Sequence, residues 1–299
     1  MRNAIANIIK KTAKDDPNLF LVSGDAGLGL WDNFQVDFKE QYLNTGINEA
    51  CSIGFCAGLA LAGKKPIYYN IAPFTLMRPY EHVRNDICYQ ELPVILIGIG
   101  SGLTYAPAGM THYSIEDIAV ALTLPNLQIF SPCDSYEAEA SFQFAYKSKK
   151  PSYIRIPKNG DSLLNLKNIE NIEEFQILRQ GSTKILLITH SNIAQQVLEL
   201  GNKLDATVFS SPFVNSDNDN NKAIIREFEN IFVIEEHFKF GGLGTYLEEF
   251  LERKIYKIGI ENHYIHDIGN QQYLREKFDL MGQGLLDKIT RYLNLKGQI

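Results

Sequence analysis

The sequence predicts an α/β protein of two tandem parallel-sheet domains, and three features carry that prediction. Short runs rich in Val, Ile, Leu, Phe and Tyr alternate with longer segments of helical character. Such alternation is the signature of a parallel sheet covered by crossover helices. One run, PVILIGIG (93–100), is almost wholly apolar, as a strand covered on both faces must be. The alternation lapses after residue 156 and restarts near 185, so the 299 residues divide into two units, boundaries 1–163 and 164–299. Each unit is close to the usual domain size of about 150 residues.

In the first unit a helix over Arg2–Lys14 precedes the apolar strand Leu19–Ser23 (LFLVS). The Ala- and Gly-rich segment Ile47–Ala62 reads as a helix and leads to the aromatic and β-branched strand Pro66–Ile71. Next come a helix over Leu76–Gln90, the strand Pro93–Ile99, a helix over Ile115–Leu122, the strand Leu127–Phe130, a helix over Ser135–Lys149 and the strand Ser152–Ile156. The polar stretch that follows, punctuated by Gly160 and Gly181, reads as a connection holding one short strand. The second unit then takes strands at 185–190, 206–210, 231–236 and 254–260. Helices are expected near Asn192–Lys203 and Leu243–Arg253, with a polar loop at 214–221.

Composition narrows the function. Hydrophobic residues are 45% and charged residues 21%, which suits a large buried core, and the net charge of −6 argues against a broad nucleic-acid footprint. The N-terminus lacks a long apolar stretch and a small-residue cleavage site, so no secretory signal is expected. The uncharged run Leu92–Ile115 is broken by Pro93, Pro107, several glycines and His112; it reads as strand plus loop, not as a membrane span. Cys51, Cys56, Cys88 and Cys133 form no CxxC, so free thiols in a reducing cytoplasm, most of them buried, are expected, and no metal site. His263 and His266 have no third ligand nearby.

Candidate chemistry concentrates in three places. The segment TGINEACSIGFCAGLALAG (45–63) opens a helix that Thr45 or Asn44 would cap, with Glu49 in its first turn. Glu49 then either complements the helix dipole or stands as a partly desolvated acid at the mouth of a buried helix, one that lies at a subunit interface. Phe74, Met77 and Tyr80 are spaced to share a helical face, as core or as a wall for a flat heterocycle, although Pro79 interrupts the run. His112 lies in a Gly- and Ala-rich loop after the most buried strand, where active-site loops of parallel sheets emerge. Glu116 and Asp117 would then open the next helix as dipole-matching acids. GDAGLGLWDNF (24–34) matches neither nucleotide-binding fingerprint. The GGLGT turn (241–245) could hold an anion at a helix start, and Arg155 or Lys158 could meet a substrate phosphate.

Taken together, TGINEA (45–50), IAPFTLMRPYEHV (71–83), AGMTHYSIED (108–117) and LPNLQIFSPCDSYEA (124–138) resemble, in order and spacing, the pyrimidine-binding domain of transketolases. IFVIEEHFKFGGLGTYLEEFL (231–251) resembles their C-terminal domain. The resemblance implies thiamine diphosphate as cofactor. It places Glu49 on the glutamate that hydrogen-bonds N1′ of the aminopyrimidine, favouring the imino tautomer that removes the thiazolium C2 proton. It places Phe74, Met77 and Tyr80 around the aminopyrimidine, His112 beside the reacting carbons and Lys158 on the sugar phosphate. Asp25 falls near the thiazolium.

Two positions depart from the family. Ala108 stands where many transketolases carry an aspartate, and Gly100 near a usual histidine, so the sugar substrates are expected to differ from ordinary pentose phosphates. No GDG occurs in the sequence. The family uses GDG and a downstream Asn for the diphosphate and Mg²⁺, and Gly24-Asp25-Ala26 is only a decoy. The resemblance therefore implies the C-terminal subunit of a split transketolase. Its N-terminal partner subunit would hold the Mg²⁺, in a heterotetramer organised around a dimer, with no nucleic-acid or membrane partner. The alternatives are the β subunit of a 2-oxo acid dehydrogenase, a deoxyxylulose-phosphate synthase, disfavoured by the missing N-terminal module, and a non-catalytic transketolase-like partner.

Overall fold

The computed structural model describes residues 1–159, 162–165 and 167–295; Gly160, expected to punctuate the connection, lies outside them. Six strands form the first sheet: β1 (Leu19–Ser23), β2 (Tyr42–Asn44), β3 (Lys65–Ile71), β4 (Ile95–Ile99), β5 (Gln128–Phe130) and β6 (Ser152–Ile156). Their order is β2-β1-β3-β4-β6-β5, and every pairing is parallel. The chain leaves β1 toward one edge and returns to β3 on the other side. The carboxyl ends of β1 and β3 therefore flank a topological switch point, where ligand crevices form in open parallel sheets.

Helices cover both faces of this sheet. They are α1 (Arg2–Asp15), α2 (Asp32–Asp37), α3 (Glu49–Leu61), α4 (Tyr80–His82), α5 (Asp117–Leu122) and α6 (Ser135–Ser148). Ile5, Ile9 and Phe142 from α1 and α6 pack on Leu21, Ile67, Tyr69 and Ile97. On the opposite face Ile53 and Cys56 of α3 meet Val22, Tyr68 and Leu96, and this cluster continues into Leu186, Ile188 and Val233 of the second unit. Alternate residues of β3 thus serve two cores, as the period of a strand requires.

The second sheet holds β7 (Gln176–Arg179), β8 (Ile185–Thr189), β9 (Thr207–Ser210), β10 (Asn230–Phe238) and β11 (Tyr256–Ile260) in the order β11-β10-β8-β9-β7. Only the edge strand β7 runs antiparallel. Around it lie α7 (Ala194–Leu204), α8 (Asp219–Ile225), α9 (Leu243–Phe250), α10 (Gln271–Lys277) and α11 (Gly282–Leu295).

Several elements differ from expectation. Segment 73–88 is not one α-helix over Leu76–Gln90. It is a π-helical turn Pro73–Met77, the single turn α4, and a second π turn Val83–Cys88. Pro79 lacks the N–H that a regular ladder needs, and π turns absorb such interruptions. The polar loop expected at 214–221 overlaps α8, whose Asn218 accepts from Asn220 N as N-cap while Ile225 enters the core. Neither Thr45 nor Asn44 caps α3; Asn48 is its N-cap. Asn44 Oδ1 instead accepts from Gly46 N at 2.8 Å, and Thr45 Oγ1 lies 2.6 Å from Ser52 Oγ. Helix α3 is buried on one face only; Cys51, Gly54, Phe55, Gly58 and Leu61 point outward within this chain. Cys56, Cys88 and Cys133 are buried free thiols and Cys51 is an exposed one.

The two units meet through buried polar groups, and three expectations change there. Arg155 is fully buried and cannot meet a substrate phosphate: its Nε binds Asp117 Oδ2 at 2.7 Å and its Nη2 the Ser114 carbonyl at 2.9 Å. Asp117 does open α5, but as Arg155's buried partner rather than as a solvated dipole match. Burial alone would raise its carboxyl, yet Arg155 holds it below the ordinary range. Arg155 Nη1 also donates to Ser131 Oγ at 3.1 Å, and Ser131 Oγ sits 2.7 Å from His190 Nδ1. The hydroxyl proton then goes to Nδ1, so His190 carries its own proton on Nε2, 3.3 Å from Glu235 Oε2. Burial lowers the His190 pKa, in keeping with that neutral ring. The GGLGT turn holds an anion of its own: Leu243 N and Gly244 N donate to the Glu235 carboxylate at 2.9 and 3.0 Å.

Candidate active site at the carboxyl edge of the first sheet

The loops leaving β1, β3, β4 and β6 converge at one edge of the first sheet. Glu49, the first residue of α3, is 5% exposed, and its Oε1 accepts from Arg78 Nη1 at 2.7 Å. No hydrogen bond to Glu49 Oε2 forms among the described residues. Arg78 follows directly on the π turn and lays its guanidinium over the Phe74 ring, 4.0 Å from the centroid. Phe74 in turn meets His112 edge-on, with centroids 5.4 Å apart.

His112 is oriented by its neighbour. Its Nδ1 lies 2.9 Å from Thr111 Oγ1, which donates its own proton to the Ala108 carbonyl at 3.3 Å. The hydroxyl therefore accepts from Nδ1–H, and Nε2 keeps its lone pair as an acceptor. On the other flank His112 lies 5.9 Å from the Tyr105 ring, and Lys158 Nζ stands 4.5 Å from that ring's centroid. Lys158 N donates to Thr104 Oγ1 at 3.3 Å, tying the exit of β6 to the loop after β4. Farther along the same loop, Glu116 is pushed up to about 7 by burial and by Asp117 beside it.

The edge thus brings together Glu49, Phe74, His112 and Lys158. Met77 is half-buried within the π turn. Tyr80 does not join the same face: its hydroxyl lies 2.6 Å from Thr123 Oγ1, at the end of α5. A π turn advances each residue by less than an α turn does, so spacing of three no longer keeps side chains in register. Asp25 is exposed just beyond β1 and makes no hydrogen bond or ion pair with the other candidates among the described residues. Sequence reasoning does not single out Arg78 or Tyr105. A cation inside the apolar stretch IAPFTLM-RPY is the available signal for Arg78. Tyr105 has none, because its position depends on the path of the loop after β4. No group of three or more His, Cys, Asp or Glu able to hold a metal occurs among the described residues. None of their helices is long and apolar enough to cross a membrane.

The architecture defines the class first: a two-unit α/β chain of the kind found in thiamine-diphosphate enzymes. A solved split-gene transketolase, described as an inactive β4 tetramer, superposes with a TM-score of 0.83 over 99% of this chain and 98% of that one, at 25% identity. Residues 1–160 match the family described as transketolase, pyrimidine binding domain, and the chain belongs to the transketolase family. An apulose-4-phosphate transketolase subunit of Actinobacillus succinogenes is 29% identical, covering 85% of both chains. A 1-deoxy-D-xylulose-5-phosphate synthase of Fusobacterium nucleatum is 29% identical across 96% of this chain, which spans 49% of that protein. The family implies thiamine diphosphate. The residues present suit an aminopyrimidine, since a carboxylate buried at the crevice keeps one oxygen uncommitted and its partner Arg78 lies over an aromatic ring.

Proposed function

We propose that this chain is the C-terminal subunit of a split, thiamine-diphosphate-dependent transketolase that moves a two-carbon ketol unit from a ketose phosphate to an aldose. The carrying observation is Glu49, buried and fixed through Oε1 by Arg78 while Oε2 is uncommitted. That oxygen would hold the proton shared with N1′ of the aminopyrimidine, and Phe74 and Met77 would line the ring, without Tyr80. Thiamine diphosphate held there would supply the stabilised carbanion chemistry that ketol transfer needs.

The remaining groups act on the sugar. His112, with its acceptor Nε2, takes a hydroxyl proton of the donor as the carbon–carbon bond breaks and returns it when the acceptor's new hydroxyl forms. Lys158 binds the terminal phosphate. Asp25, exposed beyond β1, would approach the thiazolium only once the cofactor and partner are in place. In this reading residues 1–163 form the pyrimidine-binding domain and 164–299 the C-terminal domain. An N-terminal subunit carrying GDG and its downstream Asn holds the diphosphate and Mg²⁺, and the two chains assemble as a heterotetramer. Four free thiols fit the cytoplasm. The apulose-4-phosphate transketolase relative, itself a subunit, and the split-gene relative support this division of labour. The synthase relatives favour one other reading, a decarboxylating condensation of a 2-oxo acid with an aldose phosphate.

The test mixes this chain with the GDG-bearing chain, thiamine diphosphate and Mg²⁺, with each chain alone as control. Ketol transfer only in the mixture supports the proposal. Release of CO₂ from pyruvate on addition of an aldose phosphate would replace it with the synthase reading.

A further inference from the structure

The loop after β4 builds a wall that the proposed reaction does not by itself require. Gly100 has φ +98°, and a Cβ there would come 2.1 Å from Cδ2 of Tyr105. The Tyr105 ring therefore lies directly against the Gly100 backbone, a packing that only glycine permits. The same ring stands between the His112 imidazole and the Lys158 ammonium. Burial raises its phenol pKa, and its hydroxyl forms no hydrogen bond among the described residues. Position 108 on the same loop presents only a methyl group.

A substrate gripped at one end by Lys158 and reacting near His112 must run its carbon chain along this ring. A hydroxyl pressed onto ring carbons gives up water and gains no partner, whereas a C–H bond loses nothing. We propose that Tyr105 is a specificity-determining residue and that the substrate turns an unhydroxylated carbon toward it, so that the site selects a deoxy sugar phosphate over its hydroxylated counterpart. This inference rests on the ketol-transfer reading and sharpens its substrate class.

The probes are 2-deoxyribose 5-phosphate and ribose 5-phosphate, which differ by one hydroxyl, offered as acceptors to the assembled two-chain enzyme. The expected result is a ratio of kcat/KM favouring the deoxy sugar by roughly ten- to a hundredfold, the range in which an apolar wall rejects an added hydroxyl. Tyr105→Ala should bring the ratio close to unity, while Tyr105→Phe, which keeps the ring, should preserve the preference. A wild-type ratio near or below one, or a preference unchanged in folded Tyr105→Ala, overturns the proposal. If the assembled chains transfer no ketol from any donor, the functional reading falls, and calorimetric titration of the two phosphates then decides the pocket claim. Roughly tenfold tighter binding of the deoxy sugar supports the wall; equal affinities remove it.

Discussion

The carboxyl edge of the first sheet and the seam between the two units use the same chemistry to opposite ends. Both set a guanidinium on a carboxylate at 2.7 Å, Arg78 on Glu49 and Arg155 on Asp117, with a histidine farther along. In the seam both partners are fully buried and the polar chain is sealed from solvent: it runs through Arg155, Ser131, His190, Glu235 and the amides that open α9, and even Asp117 Oδ1, which has no partner among the described residues, is out of reach of water. At the edge the chain stays open. Arg78 has 48% of its side chain exposed, and Glu49 Oε2 and His112 Nε2 still have capacity to bond. A network sealed from solvent is a structural element; a half-buried one has free atoms that a ligand can reach.

Breaking the seam should give the largest effect. Arg155→Met leaves Asp117 as a buried charge without its partner, and the expected loss is about 3–5 kcal/mol of unfolding free energy. Urea denaturation of the isolated chain measures it. A loss under about 1 kcal/mol, the range of exposed pairs, would place the seam in the same category as the surface. Breaking the edge should show the reverse profile. Glu49→Gln keeps a side-chain oxygen for Arg78, whose own side chain is 48% exposed, and should cost at most about 1 kcal/mol of unfolding free energy, while lowering ketol transfer in the assembled enzyme by about a hundredfold or more. A Glu49→Gln enzyme of wild-type rate would return Glu49 to the dipole-complementing role.

These two regions are not equally legible in the sequence. The apolar runs mark the strands and their parallel sense, because periodicity reports burial directly. The placement of Glu49 at a helix start and of Lys158 just past a strand is legible from the local fold, whereas His112 lies deep in the loop between β4 and α5, and the roles given to all three come from the resemblance. Arg155 reads wrongly as a cation free to meet a substrate phosphate. Its spacing along SYIRIP says which face of β6 it occupies but not that a second domain covers that face. Tyr80 departs for a local reason, since π turns around Pro79 shift a register that assumes 3.6 residues per turn. Strand β2 and helix α8 are too short or too polar to carry a periodic signal.

A titration separates the regions further. Glu137, buried in the seam, accepts from Cys133 N at 2.7 Å and Ser210 Oγ at 3.0 Å, yet burial pushes its pKa from 4.5 up to about 7. The folded chain therefore keeps a proton that the unfolded chain has released. The resulting stabilisation is complete below pH 4.5 and is lost as pH rises through about 7. Between pH 5 and 8 this group should contribute a fall of about 1–3 kcal/mol, which Glu137→Gln should flatten in urea melts taken across that range. A slope unchanged by the substitution would assign it to other groups, with Glu116 the first to examine.

The smallest effect should come from an ion pair of nearly the same length as Arg155–Asp117 but on the surface. Lys65 Nζ lies 2.8 Å from Asp16 Oδ2, with side chains 39% and 22% exposed. The hydrogen bond from Lys65 is the chief reason that the Asp16 carboxyl drops to about 2, so any stabilisation is present above pH 3.8 and fades as pH falls through about 2. Water screens both charges here. Lys65→Met keeps the aliphatic stem, while Tyr146 Oη and Asn18 N still donate to Asp16. The expected cost near neutral pH is about 0.2–1 kcal/mol, and added salt should shrink it. If Lys65→Met cost as much as Arg155→Met, burial would not be what distinguishes the two pairs, and the contrast between the sealed seam and the open edge would lose its physical basis.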